Sequence, residues 1–549
     1  MKPQVDYSLY LVTDSTEAIL GTRELVEVVE QALHGGVTVV QFRDKTSDTG
    51  DLIRIAKALY EKCRQHNVPL IINDRVDVAL AVGCEGVHLG QDDMNVTEAR
   101  RLLGEDKIIG ATVSSIDEAR VAVERGADYL GIGTLYATST KKNTKEIIGI
   151  NGIRRILRYL DSTSEASKNI KTVCIGGVNA SNIQRVVYQL HAPSDTSTPK
   201  SIDGVAVVSA IIGAQDVRSA TSNLMTLLSS PPPFAPHPES SSLLSADWTS
   251  LAGLQKAARS ATKAVHSTSP LSHNMTNLVV QNFAASVALA IGASPIMSNN
   301  GAEAADLAKL GGALVINMGT ATPEALSNHR AAIAAYNAVG GPIVLDPVGA
   351  GATSARKDAL AYLLASGYFD LVKGNEAEIL AVARASGFEL ASATQQRGVD
   401  SGASLYTLAQ RASIVKKIAA RERTVVLMTG ATDVISDGRR TFAISNGHKY
   451  LGMVTGSGCT LGTTLSAYMA AAPEDKFLAA VAGILHYEIA AEQAAVREDV
   501  KGPGTFIPAL IDELFNRRMD AIEGWGRGVK ELKVEALADV PDAGLLKDL

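Results

Sequence analysis

Lys449-Tyr-Leu-Gly-Met-Val-Thr-Gly-Ser-Gly-Cys-Thr-Leu-Gly-Thr-Thr464 is a small-residue turn, centred on Thr455–Cys459, that runs directly into an apolar, Ala-rich stretch. Glycines let backbone N–H groups approach a ligand closely, and a helix start adds partial positive charge. The pattern therefore predicts an anion cradle at Gly456 and Gly458, of the kind that would hold a nucleotide γ-phosphate during transfer. Cys459 stands at its mouth, where a reacting hydroxyl would have to be. The plainer reading is a Gly-rich turn capping a buried helix.

The sequence around this stretch, from Pro270 onward, alternates short β-branched runs with helical periodicity. Candidate strands are Ala293–Ser298, Ala313–Met318, Pro342–Asp346, Leu371–Lys373, Thr424–Thr429 and Asp433–Ser436; 407–421, 461–471 and 479–496 read as helices. An open, mostly parallel sheet covered on both faces is the expected architecture. Polar groups gather where the strands end: Asp346-Pro-Val-Gly-Ala-Gly351, Lys373-Gly-Asn-Glu-Ala-Glu378, Thr429-Gly430 and Lys501-Gly-Pro-Gly504. Acids, a cation and backbone donors are what phosphoryl transfer requires. No G-x-x-x-x-G-K-[ST] is present, which argues against a P-loop enzyme.

The first half repeats a strand–helix unit eight times. Candidate strands are Tyr7–Thr13, Val37–Arg43, Pro69–Asn73, Gly86–Leu89, Ile108–Val113, Asp128–Gly133, Thr172–Gly177 and Gly204–Ser209, with helices such as 22–34, 51–65 and 115–125 between them. Eight such units in a little over two hundred residues predict a (β/α)8 barrel, with chemistry at the C-terminal strand ends. Those ends carry Gln41-x-Arg43-x-Lys45, Asn73-Asp74, His88 through Asp93, Thr112, Thr138 to Lys142, Gly176-Gly177 and Val208-Ser209. Gly177, Val208 and Ser209 fit a phosphate cradle. Arg43, Lys45 and Lys141 beside Asp74 and Asp93 fit a Mg2+-bound diphosphate. Asp161–Lys171 and His191–Ser201 look like inserted surface loops.

Ser229–Ser242 is rich in proline and serine and reads as an extended linker. The expected organisation is a barrel over 1–228, a linker over 229–246 and a second α/β domain over 247–549. Asp247–Ser267 should be a helix entering that domain, and Gly524–Leu549 an acidic peripheral helix or loose tail. The chain has 549 residues, a formal net charge of −6 and 46% hydrophobic residues with only 5% aromatic. That balance argues against broad nucleic-acid binding. The four cysteines show no C-x-x-C spacing, so neither a zinc site nor a disulfide framework is expected. With no uncharged apolar run of membrane-spanning length and no signal-peptide core, a cytoplasmic, reducing location is expected and no membrane partner.

The barrel motifs resemble thiamine phosphate synthase over about 5–225. The resemblance implies joining of a hydroxymethylpyrimidine diphosphate to a thiazole phosphate, with pyrophosphate released through a dissociative, carbocation-like step. It implies that Gln41, Arg43, Lys45, Asn73, Thr112 and Lys141 bind the pyrimidine diphosphate, with Arg43 and Lys141 acting in catalysis. Thr138, Thr140, Gly177, Val208 and Ser209 would bind the thiazole phosphate, and Asp74 and Asp93 would hold Mg2+. Thr112 stands where serine is common, which keeps the hydroxyl.

The second half is similar to hydroxyethylthiazole kinase, a ribokinase-like fold, over about 250–523. The matching motifs are His273-x-x-Thr276-Asn277, Ala293-Ser-Pro-x-Met297, Asp346 through Ala352, Gly374-Asn375-x-x-Glu378, Asn446 through Lys449, Gly456-x-Gly458-Cys459 and Lys501-Gly-Pro-Gly504. The likeness implies ATP- and Mg2+-dependent phosphorylation of a hydroxyethylthiazole. Asn277, Val279, Met297 and Gly458 would hold the thiazole, and Asp346, Lys373, Glu378, Thr429 and Gly456 would serve ATP. Cys459, where ribokinase relatives generally carry aspartate, would be the base, with a thiol pKa lowered by the helix start, or would only shape the anion hole. The family also implies kinase trimers, two of which could join as a hexamer. Two competing readings are an unrelated phosphate-binding barrel paired with a sugar or pyrimidine kinase, and a catalytically silent sensor of thiamine precursors.

Overall fold

The computed structural model describes residues 2–136, 147–192, 199–235, 250–390, 405–523 and 532–548. The chain divides into two compact units, Met1–Pro232 and Pro233–Leu549.

In the first unit, strands β1 (Leu9–Val12), β2 (Val39–Phe42), β3 (Leu70–Asn73), β4 (Gly86–Leu89), β5 (Ile108–Val113), β6 (Tyr129–Ile132), β7 (Lys171–Ile175) and β8 (Gly204–Val207) pair in sequence order. All pairings are parallel, and β8 returns to β1 to close a barrel. The period-2 alternation of a strand explains two separate cores. Tyr10, Val12, Val39, Ile71, Ile108 and Tyr129 belong to an inner cluster, whereas Leu9, Leu11, Val40, Ile72 and Leu130 pack outward with the helices. On the helix Leu25–His34 the buried positions are Leu25, Val28, Val29, Ala32 and Leu33, one face at helical spacing. Asn95 and Ser115 cap the next helices by accepting the N–H of Glu98 and Glu118.

The tract 161–171 is not a loop. The helix Gly149–Thr163 extends into it, and a short helix Glu165–Asn169 follows, capped where Ser164 Oγ accepts the Ser167 N–H at 3.1 Å. Ser167 and Ile170 are buried while most of the tract is exposed, so it lies on the surface as expected, but as helix rather than loop. The ends of 191–201 are joined by an antiparallel bridge between His191 and Ser201, and residues 193–198 lie outside the described residues.

The second unit is built on a nine-stranded sheet. Its strands are β9 (Leu271–Met275), β10 (Ser294–Ile296), β11 (Ala313–Asn317), β12 (Ile343–Asp346), β13 (Leu371–Asn375), β15 (Val425–Thr429), β16 (Asp433–Ser436), β17 (Thr441–Ile444) and β18 (Val534–Ala536). The spatial order is β10-β9-β11-β12-β13-β15-β16-β17-β18, parallel from β10 to β15 and antiparallel beyond. A separate ribbon pairs β14 (Phe388–Leu390) with β19 (Leu546–Asp548).

Sequence reasoning missed β9 because three of its five residues, Ser272, His273 and Asn274, are polar yet buried. Each has a partner. Ser272 shares a hydroxyl contact with Ser466 at 2.8 Å, Asn274 Oδ1 accepts from Thr463 Oγ1 at 2.8 Å, and His273 Nε2 lies 2.9 Å from Ser298 O. The hydroxyl-rich helix Ser457–Ala471 thus docks on a polar strand. The expected peripheral helix or loose tail is instead partly strand: β18 extends the main sheet and Leu546 in β19 is buried, while 524–531 lie outside the described residues.

The helix expected over 247–267 is described as Leu251–Thr268, capped where Ser250 Oγ accepts the Gly253 N–H. Of the expected linker, Ser229 still ends the helix Val217–Ser229, and Phe234 is buried in the second unit, stacked on Tyr368 at 4.5 Å. Residues 236–249 lie outside the described residues. No helix among the described residues is long and apolar enough to cross a membrane. All four cysteines are free thiols.

Candidate active sites

The barrel rim gathers most of the residues singled out from the sequence. Thr13 ties the ends of β1 and β2 together, accepting the Arg43 N–H at 2.9 Å and donating to Arg43 O at 3.2 Å. Arg43 Nη1 lies 3.9 Å from the buried carboxylate of Asp14, an acid two residues beyond β1 that is not among the strand-end residues singled out from the sequence. Lys45 forms an ion pair with Asp74, which sits just beyond Asn73 at the end of β3. Beside Asp74, Asp93 Oδ2 accepts the Gly90 N–H at 2.8 Å. Burial, reinforced by Asp74 alongside, pushes the Asp93 carboxyl above the usual carboxylate range.

Gln41 and Thr112 are the rim ends of a deeper polar chain through Tyr10, Tyr129 and His88. On the far side Gly176 and Gly177 take left-handed conformations, with φ of 114° and 68°. Val208 and Ser209 follow on the neighbouring strand β8 and open the short helix Ser209–Ile212. Thr138, Thr140 and Lys141 lie outside the described residues.

The second site lies at the carboxyl ends of β11, β12, β13 and β15, where ligands of open α/β sheets bind. Register places Asn317 beside Asp346 and Asn375 beside Thr429. Lys373 Nζ is 2.9 Å from Asp346 Oδ1, and both side chains are buried. Burial works against the Lys373 charge, but Asp346, Cys459 and Glu378 around it prevail and hold its pKa above the ordinary lysine value. A Cβ on Gly458 would stand 3.8 Å from Lys373 Nζ, so this ammonium faces the first turn of the helix Ser457–Ala471. Gly456 caps that helix at a φ of +90°, a conformation that suits glycine.

Asn317 is among the residues that the sequence reading does not single out. Its Nδ2 donates to Asp346 Oδ2 at 3.0 Å and lies 3.2 Å from Cys459 Sγ, while its Oδ1 accepts from Asn277 Nδ2 at 3.1 Å. One amide thus links acid, thiol and the strand β9 exit. The available signal was a polar residue ending an otherwise apolar strand, Ala-Leu-Val-Ile-Asn317.

Cys459 departs from expectation. Burial, then Asp346, pushes its thiol up to about 12, against the pull of Lys373 and the Asn317 amide. The helix start does not yield a lowered thiol here, because a carboxylate and desolvation oppose it. Glu378 closes the capping box of the helix Glu376–Ala385, accepting Gly349 N–H at 2.8 Å and Asn375 N–H at 2.9 Å. Burial, with Asp346 nearby, raises its carboxyl to about 7. Met297 is half-buried, but Val279 is 76% exposed on the isolated chain. Arg356, another unanticipated residue, clamps the rim by donating to Val348 O at 2.7 Å and Gly319 O at 3.2 Å.

Two family models match the chain: Thiamine monophosphate synthase over residues 9–211 and the Hydroxyethylthiazole kinase family over 262–519. A probable thiamine biosynthetic bifunctional enzyme of Schizosaccharomyces pombe is 42% identical over 97% of this chain and 99% of its own length. The thiamine biosynthetic bifunctional enzyme of Saccharomyces cerevisiae is 35% identical, with the same coverage of 97% and 99%. A thiamine-phosphate synthase of Clostridium novyi is 40% identical over 41% of this chain and 99% of its own. With a synthase barrel and a kinase sheet in one polypeptide, and similarity running through both, the chain belongs to the family of bifunctional thiamine biosynthetic enzymes.

Proposed function

We propose that the two units perform consecutive steps: the sheet unit phosphorylates hydroxyethylthiazole with ATP, and the barrel condenses the resulting thiazole phosphate with the pyrimidine diphosphate. The observation that carries the kinase assignment of residues is the buried set Asn317, Asp346 and Lys373 gathered around the half-buried Cys459 at the start of one helix. Lys373 and the N–H groups of Gly456 and Gly458 stabilise the transferring phosphoryl group, while Asp346, Glu378 and Thr429 position nucleotide and metal. The thiazole binds against Asn277, Val279, Met297 and Gly458. Its hydroxyl meets Cys459, whose raised thiol favours shaping the pocket over acting as a ready thiolate base. A loose phosphoryl-transfer step needs little base assistance.

In the barrel, Arg43, Lys45 and Lys141 take the charge of the departing pyrophosphate, which a dissociative, carbocation-like step demands. Gln41, Asn73 and Thr112 orient the pyrimidine, and Thr138, Thr140, Gly177, Val208 and Ser209 hold the thiazole phosphate. Asp74 and Asp93 would hold Mg2+: the crowding that raises Asp93 is what a divalent cation relieves, and diphosphate oxygens would complete its coordination. Bound there, Mg2+ would neutralise leaving-group charge. The exposure of Val279 and its neighbour Leu278, 76% and 80%, suits a pocket completed by a second copy, so the proposed assembly is built on kinase trimers.

Product analysis with hydroxyethylthiazole, the pyrimidine diphosphate and Mg2+, with and without ATP, tests the reading. Thiamine phosphate should form from free thiazole only with ATP. Condensation of supplied thiazole phosphate without ATP-dependent use of the free thiazole would remove the kinase half. Sedimentation giving an active monomer would remove the trimer.

A further inference from the structure

Five side chains from five strands form one unbroken hydrogen-bonded line through the barrel interior. Gln41 Nε2 donates to Tyr10 Oη at 2.9 Å, Tyr10 Oη meets Tyr129 Oη at 2.6 Å, Tyr129 Oη meets His88 Nδ1 at 2.9 Å, and His88 Nε2 meets Thr112 Oγ1 at 2.8 Å. Space is cleared for it. A Cβ on Gly110 would fall 2.1 Å from the Tyr129 ring, and one on Gly131 would fall 2.9 Å from His88 Cε1. Burial keeps both phenols protonated by raising their pKa far above the physiological range.

Each phenol carries a single hydrogen, so the line has a direction. Tyr10 already accepts from Gln41, and its own hydrogen finds an acceptor among the described residues only at Tyr129. The Tyr129 hydrogen then goes to His88 Nδ1. His88 must therefore carry its proton on Nε2 and donate it to Thr112. Gln41 keeps its Oε1 acceptor for the rim, and Thr112, having accepted, can donate its hydroxyl hydrogen outward.

We infer that Tyr10, Tyr129 and His88 are positioning residues that fix the hydrogen-bond polarity of the pyrimidine pocket, making it an acceptor–donor pair selective for an aminopyrimidine. This rests on the reading that Gln41 and Thr112 bind the pyrimidine. An amino group beside a ring nitrogen presents a donor and an acceptor, the complement of Gln41 Oε1 and Thr112 O–H. Replacing the amino group by oxygen, with the ring nitrogen protonated, inverts both. An acceptor on the amino group also supports electron release from it toward a developing methylene cation, the step the barrel must stabilise.

The test compares condensation of the aminopyrimidine diphosphate with that of its oxo analogue by the full chain, Tyr129→Phe, Tyr10→Phe and the double variant. The natural chain should prefer the amino substrate by at least ~100-fold in kcat/KM, since a site built to bond a group rejects its inverse. Each Phe variant should narrow that preference at least ~10-fold, with KM for thiazole phosphate unmoved. The double variant should lose no more than Tyr129→Phe alone, because loss of that central hydroxyl already releases both ends of the line. An undiminished preference in either folded variant, or additive losses, would overturn the inference. Independently of any variant, 15N shifts of labelled histidine in the natural chain should show His88 protonated on Nε2 alone; the other tautomer or an imidazolium would also overturn it. If the natural chain condenses neither substrate, the pyrimidine reading itself has failed, not the relay.

Discussion

Asn317 illustrates how much one side chain can hold. It hydrogen-bonds Asp346 and Asn277 and contacts Cys459, and because Asn317 and Asp346 are themselves buried, losing a partner strands the others. Asn317→Ala should lower kinase kcat at least ~10-fold, about 1.4 kcal/mol, with condensation of supplied thiazole phosphate unchanged; assaying both reactions on one preparation checks this. Cys459→Ala should likewise slow only the kinase, and an unchanged kinase rate would dismiss any chemical role for the thiol. With that thiol pushed up to about 12, its neutral form dominates throughout pH 6–9. Alkylation of Cys459 at pH 8 should therefore be slower than that of an ordinary exposed cysteine and should accelerate as pH rises. Its partners in the fold were unreadable from a linear motif, which showed only glycines and a helix start.

At the scale of elements, the helix Lys476–Ala495 is buried along nearly its whole length and carries His486 into the core. That ring contacts Tyr468 Oη at 2.5 Å and Leu514 O at 2.8 Å, joining three helices. Burial lowers its pKa to about 4. The sign follows from linkage: the unfolded chain binds the proton more readily, so this contribution is complete above about pH 6.5 and is lost as pH falls toward 4. Urea unfolding of the second unit should show stability declining over that window. His486→Gln should be less stable at pH 7 but depend less on pH. The tail is a second element-scale case. Leu546, on the strand paired with β14, is buried in the core cluster of the second unit, so Leu546→Ala should cost that unit about 2–3 kcal/mol in the same experiment, whereas a loose tail would cost nothing.

At the scale of the molecule, each unit has its own hydrophobic core and its own rim of polar strand ends. Cleavage engineered within 236–249 should therefore leave both reactions measurable on the separated pieces, with the thiazole phosphate passing through solution. Loss of condensation after such a cut would show that the barrel depends on the second unit. Phe234 marks where the division is sharper than composition suggests. It follows three prolines yet is buried against Tyr368, with Lys476 Nζ donating to its carbonyl at 3.1 Å.

By itself the sequence determined the eight-fold strand–helix repeat, the parallel strands β11, β12, β13 and β15, and the glycine-rich turn at Gly456–Cys459 that opens a helix. These follow from local periodicity and from glycine-rich turns, signals carried by neighbouring residues. Only the tertiary structure decided that polar β9 is a strand inside the sheet, that the tail supplies β18 and β19, and that Tyr10, Tyr129 and Asn317 link to the candidate site residues by hydrogen bonds. Those assignments depend on partners far along the chain satisfying buried polar groups. The Cys459 thiol makes the same point: burial first and Asp346 second push it up, against the direction the helix start beside it suggests.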